Sequence, residues 1–300
     1  MTDPTIAPPH PDPHAPSAFR PPMGACDAHC HIFGPAERFP YAPERAYTPP
    51  DAGLDAFEAL QHRLGLSRAV FVQASCHGTD NSAMLDALRR GDGRYAGVAM
   101  IDDSCSDDDL TEMHRAGVRG VRFNFVAHLG GAPDLGRFWR IVDRVAPRGW
   151  HVVLHFDAAD LAAYADLLRR MPTSYVIDHM GRVDASAGLE QAPFQQLLEL
   201  LAGDDRCWVK VSGAERLTAT GTPPYDDVVP FARALIAAAP DRILWGTDWP
   251  HPNVRATPDD GDLVDLVAEF APDEGTRSQI LVENPERIYD LARPTDGPTA

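Results

Sequence analysis

An alternation constrains this chain more than any other feature. From Cys26 onward eight short apolar runs recur: Cys26–Phe33, Ala69–Cys76, Tyr95–Ile101, Val118–Phe125, His151–Phe156, Ser174–His179, Cys207–Ser212 and Arg242–Asp248. Segments of helical period separate most of them, for example Asp55–Leu64, Asn81–Arg90, Asp107–Arg115, Leu161–Arg170, Phe194–Leu201 and Asp227–Ala238. Strands parted by about 10–15 helical residues imply βαβ units and a parallel sheet. Eight such units in 300 residues predict an α/β fold, a (β/α)8 barrel of the TIM type. Leu263–Phe270 and Arg277–Leu281 are expected to complete the helical ring. The barrel is expected to be a single catalytic domain over residues 23–292. Residues 1–22 carry eight prolines and little apolar surface. Such a segment buries too little to offset its ordering entropy, so a disordered tail is expected there. Arg293–Ala300 is expected to be a loose C-terminus.

Composition narrows the partners. A formal net charge of −17 argues against nucleic acid and against anionic membrane surfaces, which both attract clustered Lys and Arg. A few local arginines can still hold a small anion. No run approaches the roughly 18 apolar residues of a membrane span, and residues 1–22 lack the pattern of a signal peptide. Five cysteines, an odd number without framework spacing, predict free thiols and a cytoplasmic protein.

Chemistry in such barrels sits at the carboxyl ends of the strands, and those ends are polar here. The first run offers His29 and His31, which share one side of an extended strand because they are two residues apart. Neutral imidazoles so placed can bind one cation. An isolated H-x-H pair is more often two ordinary histidines, but the other strand ends add to it. The second gives Gln73, Ser75 and His77; the fourth gives Arg122 and Asn124, then His128. The fifth ends in His155, the sixth in His179 followed by Arg182. The seventh carries Lys210 and Ser212 with Arg216 beyond, and the eighth ends in Asp248. Each alone has a structural explanation. Together they are costly on buried strands unless paired or coordinated, and they converge on one end. The long segment Gly34–Gly53, with Tyr41 and Tyr47, is expected to lie over that end.

H-x-H on the first strand, His on the fifth and sixth, and Asp on the eighth resemble the amidohydrolase superfamily. The chain is most similar to its branch of 2-pyrone-4,6-dicarboxylate lactonases and 4-sulfomuconolactone hydrolases, from about Cys26 to Leu291. The most specific matching pieces are Cys26–Pro35, Val72–Asn81, Gly120–Phe125, Ile177–Arg182 and Trp245–Pro252. The resemblance implies that Asp248 handles the water proton and that His29, His31 and His179 line the reaction centre. It implies that Tyr47, Ser75, His77, Arg122, Arg182 and Arg216 hold an anionic lactone. Two positions depart from the pyrone lactonase pattern: His155 replaces a fifth-strand tyrosine, and His128 replaces an arginine after the fourth strand. The first restores a usual metal ligand, the second removes a permanent carboxylate clamp.

With His155 present, His29, His31, His155 and Asp248 form a four-ligand set for one divalent ion, Zn²⁺ or Mn²⁺. A metal-free site, as in the pyrone lactonase, is the alternative. The expected reaction is water attack on a small carboxylated or sulfonated lactone, with Asp248 as base and then acid. His77 or His179 is expected to stabilise the oxyanion, and His128 to contribute to substrate binding. Superfamily members that isomerise lactones or decarboxylate aromatic acids use similar strand ends. No G-x-S-x-G elbow or phosphate loop is present.

Overall fold

A computed structural model describes residues 6–292. Its strands are β1 (Cys26–Cys30), β2 (Arg68–Val72), β3 (Tyr95–Ala99), β4 (Val118–Asn124), β5 (His151–His155), β6 (Tyr175–Ile177), β7 (Cys207–Lys210) and β8 (Ile243–Leu244). They pair in parallel in chain order, as the alternation predicts. The larger helices between them are α1 (Leu54–Leu64), α2 (Ser82–Arg90), α3 (Asp107–Ala116), α4 (Leu135–Val145), α5 (Leu161–Arg169) and α6 (Ala192–Gly203). The short α7 (Ala214–Leu217), α8 (Val229–Ala238), α9 (Asp260–Phe270), α10 (Glu274–Ser278) and α11 (Asn284–Tyr289) complete the series. No helix among the described residues is long and apolar enough to cross a membrane. All five cysteines are free.

The apolar residues divide into two layers. An inner cluster fills the lower barrel, where Val70, Val72, Val98, Val153 and Val176 meet, and Tyr289 of α11 joins it. A larger cluster lies between strands and helices. In α4, Phe138, Ile141, Val142 and Val145 are buried at spacings of three and four, the period that turns one face of a helix inward.

The ring closes without a ladder between β8 and β1 among the described residues. Single backbone bonds do the work beyond the end of β8. Ala28 N–H donates to Trp245 O at 2.8 Å, Asp248 N–H to His29 O at 2.7 Å, and His31 N–H to Trp249 O at 2.8 Å. Buried Asp27 staples the seam, accepting from His29 N (3.0 Å), Thr247 N (3.1 Å) and Thr247 Oγ1 (2.6 Å). Gly246 is required here: a Cβ on it would lie 2.8 Å from His29 Cβ.

The N-terminal segment departs from the expected disorder. Residues 6–22 have no helix or strand, yet they are strapped to the barrel. Asp265 of α9 accepts from Ser17 N, Ser17 Oγ and Ala18 N, each at 2.8 Å. Asp259 accepts from His14 N at 3.1 Å, and Arg63 of α1 donates to Pro13 O at 3.1 Å. Phe19 packs on the core. Fixed carboxylates on the barrel satisfy the strap's backbone, and proline leaves few donors to satisfy and little entropy to lose. The strap also reaches two loops at the mouth, through Ile6 N to Thr48 O (3.4 Å) and Thr257 Oγ1 to Pro8 O (3.2 Å). The first five residues of the expected tail, and the expected loose C-terminus Arg293–Ala300, lie outside the described residues.

Candidate functional site

A register shift in β1 sets the floor of the site. Cys26 and Ala28 belong to the inner cluster, whereas Cys30 packs in the outer one with Phe71. The shift falls between Asp27 and Cys30, three steps on β1 against two on β2. A bulge of this kind re-aims the side chains beyond it, and His29 and His31 both reach Asp248 across the seam. His31 Nδ1–H donates to Val72 O at 2.7 Å, so the lone pair of Nε2 faces Asp248 Oδ1 at 3.1 Å. His29 Nε2 lies 3.4 Å from the same oxygen and has no hydrogen-bond partner among the described residues. Donors held about 2.0–2.1 Å from a tetrahedral ion lie about 3.3–3.4 Å apart, close to these spacings. An unpartnered imidazole nitrogen and two acceptors facing one another suit a cation. His29, His31 and Asp248 therefore fit a divalent metal.

The fourth expected ligand does not join them. His155 turns Nδ1–H to Asn124 Oδ1 at 3.1 Å, and its buried Nε2 is unpartnered among the described residues. It stands beside His179, with ring centres 5.5 Å apart, outside the group whose donor atoms converge. Three of the four expected ligands, His29, His31 and Asp248, bring their donor atoms together, and His155 at the end of β5 stands across the barrel from the seam between β1 and the end of β8.

Beneath the floor lies a fully buried ion network. Asp178, immediately after β6, lies 3.2 Å from Lys210 Nζ, 3.2 Å from His29 Nδ1 and 3.2 Å from Arg122 Nη2. Burial by itself would raise the Asp178 carboxyl; Lys210, His29 and Arg122 outweigh it and hold it well below the usual range. Lys210 Nζ is 3.0 Å from His29 Nδ1. Asp27, pushed up to about 7 by burial against the pull of its Thr247 bonds, completes the support. Sequence reasoning did not single out Asp27 or Asp178. Their signal was position alone, one beside H-x-H and the other directly before His179.

Asp248 is held ionised. Burial raises its carboxyl, but the Arg216 guanidinium beside it holds it well below its ordinary value. Arg216 Nε donates to Asp248 Oδ2 at 2.6 Å, Nη2 pairs with the same oxygen, and Nη1 donates to Pro252 O at 2.7 Å. Asp248 has φ +66°, and His179–Arg182 form a run of four residues with positive φ. Such backbone is costly for residues other than glycine, and strain of this kind concentrates at functional sites. The turn carries His179 to within 4.6 Å of His29, centre to centre. Its Nδ1 meets Ser212 Oγ at 3.0 Å, and burial lowers it to about 4, leaving the ring neutral.

Above the floor is a narrow cavity. It is lined by Tyr47, Ser75, Arg122, His128, Arg182 and Arg216, with His31, His155, His179 and Asp248. Arg182 Nε donates to Asp157 Oδ1 at 2.6 Å. Burial and the nearby Arg182 lower His128, so it too is a neutral ring. Tyr47 is buried and brings the Gly34–Gly53 segment over the mouth as expected. His77 is the exception. It lies outside the cavity wall, its Nδ1 meeting Pro40 O at 3.3 Å and its Nε2 accepting from Gly34 N at 3.4 Å. Through these two bonds it ties the short helical turn Ser75–His77 to the loop that carries Tyr47.

Comparison with known proteins points the same way. A family model described as "Amidohydrolase" matches residues 26–291. A 2-pyrone-4,6-dicarboxylate hydrolase of Comamonas testosteroni is 47% identical, covering 90% of this chain and 92% of its own. A 4-sulfomuconolactone hydrolase of Rhizobium radiobacter is 45% identical, covering 92% and 93%. Among solved structures, an Agrobacterium tumefaciens protein in its apo form superposes with a TM-score of 0.80 at 29% identity, covering 92% of this chain and 98% of that one.

Proposed function

The chain belongs to the amidohydrolase family, and from that premise we propose that it hydrolyses a carboxylated or sulfonated lactone by attack of water on the ring ester carbonyl. The observation that carries the reading is one cavity in which the Asp248 carboxylate stands among the guanidinium groups of Arg122, Arg182 and Arg216. The names of the two relatives, both lactone hydrolases acting on anionic rings, support it.

In the reaction, the water oxygen bonds to the carbonyl carbon and the ring C–O bond breaks. Asp248 accepts the water proton and returns it to the departing ring oxygen, so the carboxylate is regenerated. Arg122, Arg182 and Arg216 orient the anionic substituents, because a guanidinium fork matches planar carboxylate oxygens. His128, neutral and without that fork, adds shape rather than charge to the outer wall. Tyr47 and Ser75 line the same cavity and add hydroxyl groups to the substrate contacts. His179, neutral and fixed by Ser212, is placed to hydrogen-bond the reacting atoms; His155 borders the same space. His29, His31 and Asp248 would hold a divalent metal, Zn²⁺ or Mn²⁺, which when bound supplies Lewis acidity and an acidified water.

A panel of 2-pyrone-4,6-dicarboxylate, 4-sulfomuconolactone and a neutral sugar lactone tests the reading. Ring opening with acid release is expected for an anionic member. Asp248→Asn should retain the wild-type circular dichroism and lose about 10²–10⁴-fold in kcat. Turnover confined to neutral lactones, or a fully active Asp248→Asn, would overturn it.

A further inference from the structure

The ion pair between Arg216 and Asp248 has a third member. Glu215, adjacent to Arg216 in α7, has a side chain only 2% exposed, and neither carboxylate oxygen has a hydrogen-bond partner among the described residues. Its Oε1 lies 3.2 Å from Arg216 Nε. That nitrogen carries one hydrogen, and it goes to Asp248 Oδ2 at 2.6 Å. Two buried carboxylates therefore compete for a single N–H, and one of them is left without it. Burying a carboxylate without a hydrogen bond is costly. Retaining it makes physical sense if the donor changes hands.

The position of Arg216 allows that exchange. Nη1 is tethered to Pro252 O at 2.7 Å, so the guanidinium can turn about this contact without leaving the cavity wall. In the resting arrangement both Nε and Nη2 are spent on Asp248. This leaves Asp248 poorly placed to take a proton and Arg216 with little to offer an incoming anion.

We propose that Glu215 is a positioning residue, the alternative acceptor onto which Arg216 Nε turns when the anionic group of the substrate enters, releasing Asp248 as the substrate is seated. The proposal rests on the roles of Arg216 and Asp248 inferred above. Binding the substrate and freeing the base are then one movement. The negative charge of Glu215 slightly opposes anion binding, and its return is in turnover.

Glu215→Gln and Glu215→Asp test this on the anionic lactone that the wild type turns over. Glu215→Gln should lower kcat about tenfold to a hundredfold with KM unchanged or lower, since Arg216 then stays on Asp248. Glu215→Asp should recover part of the kcat. An unchanged kcat in Glu215→Gln overturns the proposal, and so does a raised KM with normal kcat. Should that variant fail to fold, the wild type decides. Crystal structures free and with isophthalate, a planar aromatic dicarboxylate, should show Arg216 Nε moving from Asp248 to Glu215. Isophthalate bound with the Asp248 contact intact overturns the proposal. Isophthalate absent from the cavity, or an active Asp248→Asn, instead removes the anion-binding reading beneath it; an inactive Asp248→Asn beside a fully active Glu215→Gln removes only the role of Glu215.

Discussion

His29 and His31 owe their place to one extra residue in β1. Without the shift between Asp27 and Cys30, strict alternation from Cys26 and Ala28 would carry both rings to the helix side of the sheet. The bulge, the Asp27 staple and the missing side chain of Gly246 together bring three donor atoms around one point. His155 is held off by Asn124. Metal content should follow this division. Elemental analysis of His31→Ala should show at least about a tenfold loss of metal affinity, while His155→Ala retains its metal. An equal loss in both variants would restore the four-ligand set. His29, His31, His155, His179 and Asp248 were visible in the sequence because they stand at the ends of buried runs that carry such residues only at a cost, while Arg182 and Arg216, beyond the runs, were pointed to by the family resemblance. Asp27, Asp178 and Glu215 were not, since an isolated acidic residue reads as a cap or a surface group until its partner is known.

Among the elements, the strap of residues 6–22 is the one whose composition misleads. Its low apolar content predicts disorder, but the acceptors that order it belong to α9, more than 240 residues away in the chain. Through Thr48 and Thr257 it braces the loop of Tyr47 and the loop that follows Asp248. Removal of residues 1–22 should therefore leave the barrel folded and raise KM more than it lowers kcat. The melting temperature should fall by about 2–4 °C per kcal/mol lost. Kinetics identical to the full chain would show that the strap does not brace the mouth. His14 adds a pH dependence to the same element. Hydrogen bonding to Ala15 O and to Asp262 raises it to about 9. A group raised in the folded state contributes fully below its unfolded pKa, so this contact is present at pH 6 and is lost as pH rises through about 9.

Across the whole molecule, the barrel interior carries far more polar groups than a packed apolar core. His151, low in the barrel against Tyr289, has neither ring nitrogen partnered among the described residues. Burial and Lys210 lower it to about 3. A depressed histidine contributes stability above its unfolded pKa near 6.5 and loses it as pH falls toward the folded value. The unfolded chain then binds the proton that the folded chain refuses. For His151 alone this loss reaches about 2 kcal/mol at pH 5. Denaturant titrations at pH 7 and pH 5 should show a decline, and His151→Leu should reduce it. A His151→Leu profile parallel to the wild type would place the acid sensitivity elsewhere.

The sequence by itself determined the barrel, the end at which polar residues gather and the family to which they belong. Strand and helix periods, and the cost of polar groups on buried strands, are properties of neighbouring residues. Only the tertiary structure decided that His155 stands apart from the metal-fitting group, that His77 anchors a loop instead of lining the cavity, and that the proline-rich segment is strapped down. It also decided that one arginine hydrogen lies between two carboxylates. These outcomes depend on how β8 closes against β1 and on contacts between residues distant in the chain, which local pattern does not encode.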